Sequence, residues 1–68
     1  WVTVTVARRA PGDVWAPADG AFRHVHVARG ALAEPPAGPG DALEVTGTGP
    51  LDLRAGPDGA ELLVVTTA

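Results

Sequence analysis

Trp1-Val2-Thr3-Val4-Thr5-Val6 opens the chain with valine at every second position and threonine between. Successive side chains of an extended backbone project to opposite sides, so this alternation predicts a half-buried strand, with Val2, Val4 and Val6 on one face and Thr3 and Thr5 on the other. It is the clearest local signal in the sequence, and it sets the period against which the rest is read.

Outward from it, Ala10–Asp13 reads as a turn through Pro11-Gly12, Val14–Ala16 as a short extended piece, and Pro17–Gly20 as a turn ending in Asp19-Gly20. A strand is predicted over Phe22–Arg29, punctuated by Gly30 and continued by Ala31–Ala33. Residues 34–40 form a Pro/Gly loop in which no helix propagates. Ala42–Thr46 is a predicted strand with Leu43 and Val45 inward, and Gly47–Pro50 turns the chain. In Leu51–Ala55 the apolar Leu51 and Leu53 alternate with Asp52 and Arg54. Gly56-Pro57-Asp58-Gly59 reads as a strong turn, and Ala60–Thr67 closes the domain with Leu62-Leu63-Val64-Val65, apolar on both faces. Six or seven short antiparallel strands at intervals of about ten residues, with no helical periodicity, describe an all-β sandwich or barrel of the jelly-roll class.

The 68 residues make one domain, 1–68. A chain this short buries only about 60% of the surface its unfolded form exposes. With no cysteine, neither a disulfide nor a thiolate metal site can supplement that core, which points to a partner surface or a parent chain. The absence of an initiator Met, with Trp1 leading straight into an alternating run, carries the same expectation of a segment from a longer polypeptide. No apolar stretch approaches the roughly 20 residues of a membrane helix, and no signal or lipidation pattern is present. The reading is therefore no membrane association and a cytoplasmic setting, which the lack of cysteine fits. The net charge is −3, lysine is absent, and the arginines (Arg8, Arg9, Arg23, Arg29 and Arg54) are spread along the chain. Direct nucleic-acid binding, which needs a concentrated basic patch, is not expected.

Candidate chemistry centres on His24-Val25-His26. Positions i and i+2 of a strand share a face and offer two imidazoles to a metal. Residues four and five beyond His26 are Gly30 and Ala31, no later histidine follows, and Glu34, Glu44 and Glu61 can come near only through folding. The competing reading places Val25 and Val27 in the core and both histidines on the opposite, partly exposed face. Asp52 and Arg54 read as a solvated ion pair, and Asp41 as a turn residue, not part of a phosphate loop. Trp1, Trp15 and Phe22 are the only aromatics and read first as packing anchors. Serine is absent as well, so no Ser or Cys nucleophile is available, and the carboxylates are dispersed.

The stretch His24-Val25-His26-Val27-Ala28-Arg29-Gly30-Ala31-Leu32, then Gly38-Pro39-Gly40-Asp41-Ala42-Leu43, then Leu51 to Leu63 with its Ala60-Glu61-Leu62-Leu63 close, resembles the C-terminal cupin domain of pirin-like bicupins, a group that includes quercetin 2,3-dioxygenase-like proteins. Val4–Trp15 also resembles the strand and Pro/Gly turn that open that domain. One departure is the loop at 33–39, shorter than in relatives, with Ala37 where a core leucine is usual. The resemblance implies a cupin jelly roll without a catalytic or metal site of its own, His24 and His26 lying on the strand after the metal-motif position. It also implies a metal, iron or another divalent ion, held by the N-terminal cupin of the parent.

The function expected is thus a non-catalytic cupin half, with no cofactor in this segment, packing against that N-terminal cupin or a second copy of itself. Whether the parent is an enzyme stays open. Two alternatives remain: a metal-dependent dioxygenase-type cupin using His24 and His26, and a small-molecule-binding jelly roll with a pocket lined by Trp15 and Phe22.

Overall fold

The computed structural model describes residues 1–49 and 51–68. Pro50, the last residue of the predicted Gly47–Pro50 turn, lies outside the described residues. The fold is all-β: five strands, β1 (Val2–Arg9), β2 (Val14–Trp15), β3 (Phe22–Glu34), β4 (Ala42–Thr46) and β5 (Leu53–Thr67), with no helix among the described residues. All pairings are antiparallel, in the order β1-β5-β3-β4, and β2 joins β5 alongside β1.

Five strands, two of them long, replace the six or seven short ones expected. Ala31–Ala33 belongs to β3, and the predicted turn Gly56-Pro57-Asp58-Gly59 lies inside β5 as a bulge. Gly30 pairs with Ala60 and Leu32 with Ala55, so four β5 residues sit opposite the single Ala31. At the same level the β1–β2 side carries its own irregularity, Pro11-Gly12, where the Gly12 amide donates to the Ala55 carbonyl. Bulges bend strands and sharpen their twist. A straight 15-residue strand spans about 50 Å, yet the domain's longest dimension is 32 Å. The sheet therefore turns a corner here.

Glycine makes the corner possible. Gly30 has φ +69°, and a methyl group on it would lie 2.2 Å from the Gly59 carbonyl oxygen. Gly59, at φ +79°, presses in turn on the Arg9 carbonyl. No residue with a Cβ fits either position without moving backbone.

Two of the tight turns share one design. Ala10-Pro11-Gly12-Asp13 and Gly38-Pro39-Gly40-Asp41 both place proline first and a positive-φ glycine second, the arrangement of a type II turn. In each the aspartate carboxylate accepts a hydrogen bond from the amide three residues back, Ala10 at 3.2 Å and Gly38 at 2.8 Å. Asp41 is thus the turn residue its context predicts.

Around the corner the two halves of the sheet close on one apolar cluster built mainly from Val25, Val27, Leu32, Leu53, Leu62 and Val64. Ala37 is buried in it, tied to Leu32 by reciprocal backbone hydrogen bonds of 2.8 and 3.1 Å. Trp15, Leu43 and Leu51 pack on its margin. No helix is long and apolar enough to cross a membrane among the described residues.

Candidate functional site

Residues opposite one another in a ladder share a face, so the register assigns every strand residue to the inside or the outside. Thr3, Thr5 and Ala7 of β1 stand opposite Thr66, Val64 and Leu62, which are buried. Val2, Val4 and Val6 stand opposite Thr67, Val65 and Leu63, on the outer face. The opening strand therefore sets its threonines on the inner face, where Thr5 is half-buried and Thr3 still exposed, and its valines on the outer one, where Val2, Val4 and Val6 are 62–67% exposed.

The same outer face continues across β3 and β4. Val25 and Val27 are fully buried, and the alternation carries Phe22, His24 and His26 to the outside, half-buried. His24 Nδ1 lies 3.6 Å from Glu44 Oε1, its cross-strand neighbour on β4. His26 lies opposite Ala42 and Leu63, with no carboxylate beside it in either register. Of the three glutamates that folding had to deliver, one reaches a histidine. Glu34 pairs with Arg54 beyond the corner, and Glu61 lies between arginines. No three His, Asp or Glu side chains form a set able to hold a metal among the described residues.

At the corner end of this face an open concavity of about 210 Å³ is lined by Arg8, Arg9, Arg29, Asp58, Glu61 and the backbone of Gly30, Gly59 and Ala60. Three of the five arginines meet here, which corrects the expectation that they are spread apart. The cause is register: Glu61 of β5 stands opposite Arg8 on one side and Arg29 on the other. Arg8 Nε is 3.4 Å from Glu61 Oε2. The Arg9 guanidinium sits 5.6 Å over the Trp15 ring, a cation–π contact. With two carboxylates among three guanidinium groups the concavity is mixed in sign, more a polar rim than a basic patch. One signal for it was available in the sequence: Arg8 continues the even-numbered parity of Val2, Val4 and Val6.

Arg23 is the other residue whose place composition does not reveal. It shares parity with Val25 and Val27 and is 2% exposed. Its Nη2 donates to the Gly47 carbonyl at 3.3 Å, and its Nη1 lies 3.8 Å from Asp19 Oδ1. That same oxygen accepts from the Gly20 and Gly49 amides at 2.9 and 3.1 Å. Arg23 and Asp19 together fasten the loop before β3 to the loop after β4.

No ion pair joins Asp52 to Arg54 among the described residues; Arg54 instead neighbours Glu34 in register. Trp15 and Phe22 pair with Leu53 and Thr67, at opposite ends of β5, and the concavity includes neither ring. Compared with known proteins, the chain matches no family model, and no curated protein or solved structure matches it.

Proposed function

We propose that this chain is a non-catalytic docking domain of the cupin jelly-roll type, the C-terminal half of a pirin-like bicupin, acting in the cytoplasm. Its outer sheet face packs against the N-terminal cupin, which holds the iron or other divalent metal. One observation carries this reading: Val2, Val4 and Val6 form a row beside Leu63 on a face that no other part of the described chain covers. Contiguous exposed apolar surface of this kind marks an interaction site. The bent sheet closing on one cluster supports the jelly-roll assignment, and the polar rim of His24, Glu44, Arg8, Glu61 and Arg29 gives the apolar patch the border typical of interfaces.

Calorimetric titration of the chain with a recombinant N-terminal cupin of a pirin-like bicupin tests it. The expected result is saturable binding that Leu63→Asp abolishes, because a carboxylate at the centre of the face would be buried without a partner. Absence of binding, or binding indifferent to Leu63→Asp, overturns the reading. Stoichiometric iron in the purified chain, lost on His26→Ala, would replace it with the dioxygenase-type alternative.

A further inference from the structure

The outermost strand raises a separate question, because β1 has no neighbour on its outer side among the described residues. Which of its backbone groups are free follows from the ladder. In an antiparallel pair, residues alternate between those that exchange hydrogen bonds with the partner strand and those whose amide and carbonyl point away. The Ala68 amide donates to the Trp1 carbonyl at 3.3 Å, which makes that pair a bonded one and, by alternation, also Thr3, Thr5 and Ala7 with Thr66, Val64 and Leu62. The far side of the sheet gives the same phase. Val27 and Ala21 bond to Asp41 and Gly47 on the β4 side, which leaves the even residues of β3 and the odd residues of β5 facing each other. Val2, Val4, Val6 and Arg8 therefore point their backbone amides and carbonyls outward, and no other backbone or side-chain group satisfies them among the described residues.

The sequence of that edge selects its occupant. Val2-Thr3-Val4-Thr5-Val6 reads the same in both directions. Two copies laid antiparallel about a two-fold axis through Val4 set Val4 against Val4, Val2 against Val6 and Thr3 against Thr5. Every valine meets a valine and every threonine a threonine, the like-with-like pairing that β-branched cross-strand neighbours favour. The residues so paired are those with outward-pointing amides and carbonyls, so about six new backbone hydrogen bonds form. Trp1, the bulkiest side chain, falls opposite Ala7, one of the smallest. Residues 1–7 contain no charged side chain to oppose its own copy and no proline to interrupt the ladder. Natural edge strands are usually protected by such charges, prolines or bulges. We infer that β1 is a homodimerisation edge, joining two copies of this chain into one continuous sheet across the molecular two-fold.

This inference concerns the edge of β1 and its backbone, and it is independent of what covers the face. Proline substitution separates the two. Val4→Pro removes an outward amide that β5 does not use, and proline is tolerated at such edge positions. Val4→Thr keeps the amide. Sedimentation velocity over a concentration series is expected to show the unaltered chain and Val4→Thr reaching twice the 6.9 kDa of a single chain. Val4→Pro should dissociate with a constant raised at least about tenfold and an unchanged circular dichroism spectrum. Hydrogen exchange of the unaltered chain gives a second readout: the Val2, Val4 and Val6 amides should become protected as concentration rises. A chain that stays monomeric, a Val4→Pro variant that dimerises as well as the parent, or edge amides that exchange equally fast at all concentrations overturns the inference. A dimer lost on Leu63→Asp but kept in Val4→Pro would assign self-association to the face instead.

Discussion

Leu62 and Leu63 are consecutive residues of one strand and chemically identical, yet Leu62 is 1% exposed and Leu63 37%. The first lies between Ala7 and Val27, inside the fold; the second lies between Val6 and His26, outside it. The same contrast holds for Val64 against Val65, and across the sheet for Thr5 against Val4. Both faces of the β1–β5 pair carry apolar side chains, the inner one with threonines among them. What distinguishes them is the border: the inner face closes on alanine, valine and leucine around the corner, whereas the outer one ends in His24, Glu44, Arg8, Glu61 and Arg29. Apolar residues that close on one another support stability, and those that stop at a polar rim remain available for recognition.

Shortening each leucine in turn separates the two faces most clearly. Leu62→Ala should cost about 2–5 kcal/mol, the lost transfer energy plus a cavity, enough to unfold much of so small a domain. Leu63→Ala should cost less than about 1 kcal/mol. Urea unfolding of the dilute chain measures both, and equal losses would mean that the outer face is covered in solution as well.

The corner that allows the inner face to close comes next. Gly30→Ala places a methyl group against the Gly59 carbonyl in a left-handed backbone, at an expected cost of about 1–3 kcal/mol from conformation alone, with the steric overlap in addition. Gly40→Ala keeps the unfavourable φ of +85° but meets nothing within 4 Å, and should cost about 1 kcal/mol. Thermal unfolding ranks the two, and parity between them would remove the Gly30–Gly59 contact from the account of the bend.

The smallest effect is expected at the rim. Glu61→Gln removes the carboxylate from between Arg8 and Arg29, and with Arg8 exposed the change should stay within about 1 kcal/mol and shrink as salt is added. Urea midpoints at low and high salt check it. A larger, salt-independent loss would show that the rim holds the fold together.

The all-β class and most of its strands were legible in the residues. Alternation in Trp1–Val6 and in Phe22–Arg29, and the run apolar on both faces in Ala60–Thr67, mark the three strands that carry the sheet, and Ala42–Thr46 is β4 to the residue. Three things were not legible. A period of two says that a strand has two faces but not which is inward, and β1 takes its facing from β5. Gly56-Pro57-Asp58-Gly59 has turn chemistry, and only the pairing of Gly30 with Ala60 and Leu32 with Ala55 reveals a bulge within one strand. Arg8 and Arg29 are 21 positions apart in the chain and become neighbours of Glu61 solely through register. The placement of His24 and His26 opposite Val25 and Val27 could be read from the pattern, because a strand that buries one set must expose the other.

The opposite rim of the sheet has its own consequence. β4 is five residues long and carries Glu44 in its middle, and a short, charged edge discourages further strands from adding to it. A molecule with one receptive border and one guarded border has a natural end point when it self-associates. Two-fold closure would use up the β1 border of both copies and leave the guarded β4 borders facing solvent, so that assembly would end at a discrete particle and not run on through β4 into filaments.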